Sequence, residues 1–273
     1  MTPLSFKHQE ELKPFFEAHP PQLSEMTFTN LFIWSKSRKI YFQIARDTLF
    51  FYKKEEDEWI PFGEPIGPEK RFPHPSKTQE RILLASADLQ KWESQLNRDQ
   101  ADYLLKMEEL VELDGHPFHR LRQQIRSCEQ RYQPAYFEIT EKEIPEIRDW
   151  IDTLVIRTPE EKEALFLLLE HYTRLPLIGG LLRVENQIAA MLIGEKLNPT
   201  TLVGHVEKSN HDFHGMTPMM YHSFAKNAGR EFTYFNIEQD LGLKGLRTMK
   251  ERLRPDQMIL KYDARRHTAD PTE

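Results

Sequence analysis

Apolar residues recur along this chain in two rhythms. Over residues 40–66 and 177–207 they form short runs or alternate with polar ones, the period-two mark of strands. Elsewhere they return every three or four residues, as on one face of a helix. In the first half, residues 6–17 and 25–35 read as helices, and 40–45 and 48–52 flank Arg46-Asp47 as a hairpin. A strand is expected over 59–66, a helix over 86–96, a short strand over 102–105 and an amphipathic helix over 116–131, entered after Asp114-Gly115. After Pro134 the reading is a strand at 135–139 and a helix at 142–155. A second helix follows at 159–173, with Thr158 as N-cap and Pro159 in its first turn. Strands at 177–184, 188–195 and 201–207 come next, broken at Asn186 and Asn198-Pro199. A helix at 216–228, a strand at 231–235, a helix at 243–252 and a strand at 257–262 complete the chain.

The order after Pro134 is therefore β-α-α-β-β-β-α-β-α-β, the layout of the acyltransferase fold of the N-acetyltransferases. In that fold the strands before and after the long helix splay apart, and the wedge between them takes the acyl donor. The layout makes 203–208 and 232–236 the splayed pair. It also sets NIEQDLGLKGLRTMKERLRP, residues 236–255, at the wedge. That stretch holds Gly242 and Gly245 close together although each weakens a helix, which suggests a close backbone approach.

Composition narrows the class. No apolar run reaches the roughly 18–20 residues of a membrane span, and the N-terminus lacks the basic start and apolar centre of a signal peptide. One cysteine, Cys128, excludes an internal disulfide and suits a reducing compartment, so a cytoplasmic protein is expected. His205, His211, Asp212 and His214 lack the second cluster of a structural metal site, and no metal is expected. Phe28, Phe32 and Trp34 recur at near-helical spacing and read as core. The net charge of −6 argues against a general nucleic-acid coat. Two stretches run against that balance. Residues 119–131 carry Arg120, Arg122, Arg126 and Arg131 against Glu129. Residues 244–254 carry Lys244, Arg247, Lys250, Arg252 and Arg254 against Glu251. Such patches suit a polyanion, and solvated helix faces give the same pattern.

Coenzyme A is disfavoured as the donor. Its pyrophosphate is normally held by an Arg/Gln-x-x-Gly-x-Gly/Ala loop opening the long helix. Here that position reads Asp212-Phe-His-Gly-Met-Thr217, with an acid first and Thr217 for the second glycine. No other cofactor is expected.

Several segments carry a resemblance. They are 24–34 (SEMTFTNLFIW), Asp102-Tyr103, 113–119 (LDGHPFH), 179–183 (GGLLR), Glu207-Lys208 and above all 236–250 (NIEQDLGLKGLRTMK). Together they resemble a soluble bacterial family similar to the C-terminal catalytic domain of phosphatidylglycerol lysyltransferase, over about residues 20–262. The resemblance implies a mixed α/β (α+β) chain of two tandem GNAT-like acyltransferase domains. Each would have a mixed, mostly antiparallel sheet flanked by helices, the first over 1–133 with the basic joining helix 116–131, the second over 134–273. It implies transfer of an aminoacyl group from a charged tRNA to a lipid or another small amine or hydroxyl acceptor. A non-catalytic binding member and an acetyl-coenzyme A-dependent N-acetyltransferase are the alternatives. Asp240, Arg247 and Lys250 match the motif's charged positions and are the implied catalytic residues. They are expected to line one cleft, Asp240 toward a cation and the two bases toward a phosphate. Asn236, Glu238, Gly242, Gly245, Glu207 and Lys208 are the implied substrate-binding residues, and Arg120, Arg122 and Arg126 the implied nucleic-acid contacts. Two positions depart from the family pattern. Ile237 stands where arginine is common, and the joining helix reads His119-Arg-Leu-Arg-Gln-Gln124 instead of a lysine-rich run.

Overall fold

The structure, a computed structural model, describes residues 1–74, 78–82 and 92–266. The chain divides into two compact units. The first comprises Met1–Asp102, Gln239–Leu243 and the segment from Met258 onward; the second comprises Tyr103–Glu238 and Lys244–Gln257. The expected join at 133 therefore falls inside the second unit, as does the basic helix expected to link two domains. Mixed α/β architecture with mostly antiparallel sheets is as the sequence predicts.

The first unit is built on β1 (Thr2–Pro3), β2 (Ile40–Ala45), β3 (Thr48–Glu55), β4 (Glu58–Ile66), β5 (Thr78–Ile82), β6 (Trp92–Leu96) and β14 (Tyr262–Arg266), in the order β1-β2-β3-β4-β5-β14-β6. Arg46 and Asp47 both take the left-handed backbone, with φ of 50° and 55°. That is what a two-residue hairpin turn requires, and it makes the predicted hairpin. Leu49, Phe50, Phe51 and Tyr52 of β3 are all buried, so this strand is covered on both faces. Helices α1 (Gln9–Ala18) and α2 (Phe28–Ile33) complete the core with Leu12, Phe28, Leu31 and Phe32. The helix expected over 86–96 is overturned at its C-terminal end. Residues 92–96 pair with β14 from Trp92↔Arg266 to Leu96↔Tyr262, and ladder partners outweigh the weak local helical spacing. Residues 86–91 of that expectation lie outside the described residues.

From Pro134 the second unit follows the predicted order, except that the strand expected over 257–262 ends at Ile259 and Tyr262–Arg266 form a strand of the first unit's sheet. Met107–Glu112 is a helix the sequence did not predict. The unit starts with β7 (Asp102–Lys106), α3 (Met107–Glu112) and α4 (His119–Tyr132). Then come β8 (Ala135–Glu138), α5 (Ile144–Thr153), α6 (Pro159–Glu170), β9 (Leu177–Val184), β10 (Gln187–Asn198) and β11 (Thr201–Ser209). Helix α7 (Met216–Ala228), β12 (Tyr234–Asn236), α8 (Lys244–Arg252) and β13 (Gln257–Ile259) follow. The sheet order is β13-β7-β12-β11-β10-β9-β8. Thr158 caps α6 by accepting from the Glu161 amide, with Pro159 at its first position, as predicted. Strand β10 is buried almost throughout, from Ile188 to Glu195, under α7 residues such as Met220 and Phe224.

Strands β11 and β12 run parallel but pair over three residues only, Thr201↔Tyr234, Leu202↔Phe235 and Val203↔Asn236. Strand β11 continues to Ser209, held by β10 on its other side through Leu192↔Glu207 and Ala190↔Ser209. The edge of residues 204–209 that faced β12 is thus left open. This is the predicted splay.

Candidate functional site

The alternation of β11 sorts its polar residues. His205, Glu207 and Ser209 fall on one face and Lys208 on the other. Lys208 reaches Glu161 on α6 at 2.6 Å, beside the Arg157–Glu161 pair at 3.2 Å. Burial alone would raise the Glu161 carboxyl, but these two cations hold it below its ordinary value. The acidic face of β11 is different. Glu207 accepts from the Ser209 hydroxyl, and Thr217, in the first turn of α7, donates to Ser209 at 3.0 Å. Burial raises the Glu207 pKa, and Ser209, Lys208, Thr217 and Lys250 only partly offset it. The Tyr221 hydroxyl is raised well above its usual value by burial and by the charges of Glu207 and Glu238.

His205 links two further acids. Its Nδ1 lies 2.8 Å from Glu238 Oε1 and its Nε2 lies 2.8 Å from Glu195 Oε1. Both ring nitrogens face carboxylate oxygens, an arrangement that favours the doubly protonated ring. Burial works against that charge, yet Glu195 and Glu238 override it and push the His205 pKa up to about 10.

Ser209 and Thr217 also border a cavity of about 620 Å³ in the second unit. The loop 209–218 and the start of α7 form one wall, Leu121 and Gln124 of α4 another, and Lys244, Gly245, Thr248, Met249 and Arg252 of α8 a third. Gly215, with φ of 83°, precedes α7 in the left-handed conformation, and no side chain caps that helix. The amides of its first turn, Lys244 and Arg252 give the cavity a positive cast. It can accommodate an anionic group next to a carboxyl poised above its ordinary pKa.

A family profile described as phosphatidylglycerol lysyltransferase, C-terminal, matches residues 16–265. The chain belongs to the phosphatidylglycerol lysyltransferase C-terminal family. Solved structures share its fold. A conserved protein of unknown function from Bacteroides thetaiotaomicron VPI-5482 is 23% identical with a TM-score of 0.83, over 97% of this chain and 99% of that one. The C-terminal domain of a protein described as a lysylphosphatidylglycerol synthetase, from Agrobacterium fabrum, is 14% identical with a TM-score of 0.68, over 97% and 93%. L-PGS from Bacillus licheniformis is 16% identical with a TM-score of 0.67, over 96% and 93%. Among curated proteins none matches significantly.

In this lysyltransferase-family chain each motif residue is placed within its own unit. Asp240 belongs to the first unit and is fully buried; it accepts from Arg98 at 3.0 Å and from the Gly242 amide at 2.8 Å. Lys250 is buried in the second unit, donates to the Ile237 carbonyl and lies 5.9 Å from the centre of the Tyr103 ring. Asn236 is buried and accepts from the Glu238 amide at 2.8 Å. Arg247 is half-buried on α8, and neither it nor Lys250 lines the cavity; their neighbours Lys244, Thr248 and Arg252 do. Gly242, with φ of 72°, would set a Cβ 2.8 Å from Asp99, whereas a Cβ on Gly245 meets nothing within 4 Å. On α4, Arg120 and Arg126 are exposed, while Arg122 donates to the Leu113 and Gly115 carbonyls at the end of α3. Cys128 is buried, and burial pushes its thiol up to about 11, which suits packing and not nucleophilic chemistry.

Sequence reasoning missed Glu195, His205, Ser209, Thr217 and Tyr221. Two signals mark some of them. Glu195 is an acid at the end of the apolar run 188–194, and residues 205, 207 and 209 place polar groups at period two on one strand.

Among the described residues, no group of acids, histidines or cysteines is arranged to hold a metal ion, and no helix is long and apolar enough to cross a membrane.

Proposed function

We propose that this chain is an aminoacyltransferase that takes its aminoacyl group from a charged tRNA and passes it to a lipid or other small hydroxyl or amine acceptor. The observation that carries the proposal is the pairing of Glu207, at the open edge of β11, with the cation-walled cavity beside it, in a chain of this family. An aminoacyl ester is already activated. The protein's task is to align donor and acceptor, remove one proton and stabilise the tetrahedral oxyanion. The acceptor oxygen or nitrogen attacks the ester carbonyl and the Glu207 carboxylate takes its proton. The carbon–oxygen ester bond then breaks, and the ribose oxygen leaves with that proton returned to it. The cavity receives the phosphate-bearing end of the donor, with Lys244 and Arg252 as counter-charges. Coenzyme A fits less well because Asp212 begins the loop where a basic residue would meet its pyrophosphate.

The test is to incubate the purified chain with radiolabelled lysyl-tRNA and phosphatidylglycerol vesicles, or with labelled acetyl-coenzyme A as a separate arm. We expect label to leave the tRNA and appear in lipid. Glu207→Gln should slow transfer by about a hundredfold or more, with tRNA binding nearly unchanged. The wild-type rate should climb with pH, its midpoint lying above the ordinary carboxylate value of 4.5, because the base works only when ionised. Full activity in Glu207→Gln, or transfer from acetyl-coenzyme A alone, defeats the proposal.

A further inference from the structure

The base and the cavity do not touch. Glu207 is half-buried on β11 and is not among the residues that line the cavity, whereas Ser209 and Thr217 are. The Ser209 hydroxyl donates to Glu207 Oε1, and the Thr217 hydroxyl donates to Ser209 Oγ at 3.0 Å. Side chains thus run without a break from the cavity wall to the carboxyl group. Two elements of the second unit fix them. Ser209 is the last residue of β11, paired with Ala190, and stands two residues from Glu207 on the same strand face. Thr217 is the second residue of α7.

Hydrogen-bonding capacity gives this arrangement a direction. A hydroxyl has one hydrogen to donate and two lone pairs that accept. Ser209 gives its hydrogen to Glu207 and takes one from Thr217, which leaves it a second lone pair. Thr217 also acts on the Glu207 carboxyl, so the three groups form one cluster. Because Ser209 borders the cavity, that second lone pair is placed to accept the hydrogen of an attacking hydroxyl or amine there. The carboxylate behind the wall can then receive a proton without meeting the nucleophile itself.

We infer that Ser209 relays the acceptor's proton to Glu207, and that Thr217 is a positioning residue that orients Ser209 for it. This inference rests on the aminoacyl transfer proposed above. As the acceptor oxygen or nitrogen bonds to the ester carbonyl carbon, its proton passes to Ser209 Oγ while the Ser209 hydroxyl proton passes to Glu207. When the carbon–oxygen ester bond breaks, both transfers reverse and the ribose oxygen leaves with a proton. Ser209 ends as a neutral hydroxyl, Glu207 ends ionised, and Ser209 never bonds to carbon.

Single-turnover transfer from radiolabelled lysyl-tRNA to phosphatidylglycerol vesicles, followed over pH with the full chain, tests the relay. Ser209→Ala should lower the rate on the high-pH plateau at least about tenfold, while the affinity for tRNA stays within about threefold. Ser209→Thr keeps the hydroxyl and should recover most of the loss; equal slowness of the two folded variants would overturn the relay. If Glu207 takes the proton directly, Ser209→Ala removes only a hydrogen bond that lowers the Glu207 carboxyl. The midpoint then moves to higher pH and the plateau falls less than about tenfold. In that case the relay is wrong although the base stands. A second measurement needs no variant. Wild-type rates in mixtures of light and heavy water should bow with deuterium fraction, because two protons move together, and a straight line would overturn the relay. An aminoacyl adduct on Ser209, found by mass spectrometry of chain quenched during turnover, would make it a nucleophile and also overturn the relay. If the wild-type chain transfers nothing, or Glu207→Gln is fully active, the transfer reading and this inference fall together.

Discussion

Lys261 shows what one residue can contribute in the first unit. It has no solvent exposure, and neither does Asp102, while Glu25 has 1%. The ammonium lies 2.6 Å from Asp102 Oδ1 and also contacts Glu25 Oε2, and Ser24 donates its amide and hydroxyl to Asp102 at 3.1 and 2.8 Å. Taking these charges out of water is costly, and their mutual attraction roughly offsets it only while all partners are present. Removing the cation alone leaves two carboxylates facing each other in the interior. Lys261→Met should therefore cost about 3–5 kcal/mol in urea unfolding, and adding Asp102→Asn and Glu25→Gln should restore part of it. A loss below about 1 kcal/mol would show that the cluster adds little. Three of the four members stand in segments that resemble the family: Ser24, Glu25 and Asp102. Lys261 was not legible in the sequence, because it is 159 residues from Asp102 and no spacing rule ties them.

At the scale of elements, the two glycines that drew attention to residues 236–255 separate by environment. Gly242 sits in the left-handed region against Asp99, so the close approach there is to the protein's own side chain. Gly245 lies in the first turn of α8 with open space around its missing Cβ, on the wall of the cavity. Gly242→Ala should destabilise the chain by more than about 1 kcal/mol, whereas Gly245→Ala should be neutral or stabilising by up to about 1 kcal/mol. Thermal unfolding of both variants distinguishes them, and equal losses would contradict the separate roles. The element order of the second unit was legible because its strands are apolar and its helices carry caps such as Thr158. The first unit was less so. Strand β6 at 92–96 has exposed residues such as Leu96, and its pairing partner β14 lies far along the chain, so local pattern pointed to a helix. Helix α3 at 107–112 was unread for a related reason: six residues give too few turns for a period to show. The open edge of β11 was readable as topology, but the Glu195–His205–Glu238 line across it was not. Its members come from β10, β11 and the segment after β12, and only the sheet brings them together.

For the whole molecule, the net charge of −6 opposes a polyanion at long range, so the tRNA binding proposed above depends on where the bases lie. In the second unit the cavity is walled by α4 and α8 together. Its charges are Lys244 and Arg252 on α8, while Arg120 and Arg126 are exposed on α4, the helix that supplies Leu121 and Gln124 to the wall. Arg122 is engaged with the end of α3, so it should matter to stability more than to binding. If Arg120 and Arg126 each neutralise one phosphate, log Kd for tRNA should depend linearly on log salt concentration. The Arg120→Gln, Arg126→Gln double variant should lower that slope by about 1.8 on duplex contacts, or about 1.4 on single-stranded ones. Filter binding over a range of potassium chloride concentrations measures it, with circular dichroism to show that the fold is kept. The acidic body makes the effect steeper at low salt, where unscreened repulsion is added to the lost contacts. A slope unchanged in the folded double variant would return α4 to the standing of a solvated helix, and the tRNA path would have to be sought along α8 alone.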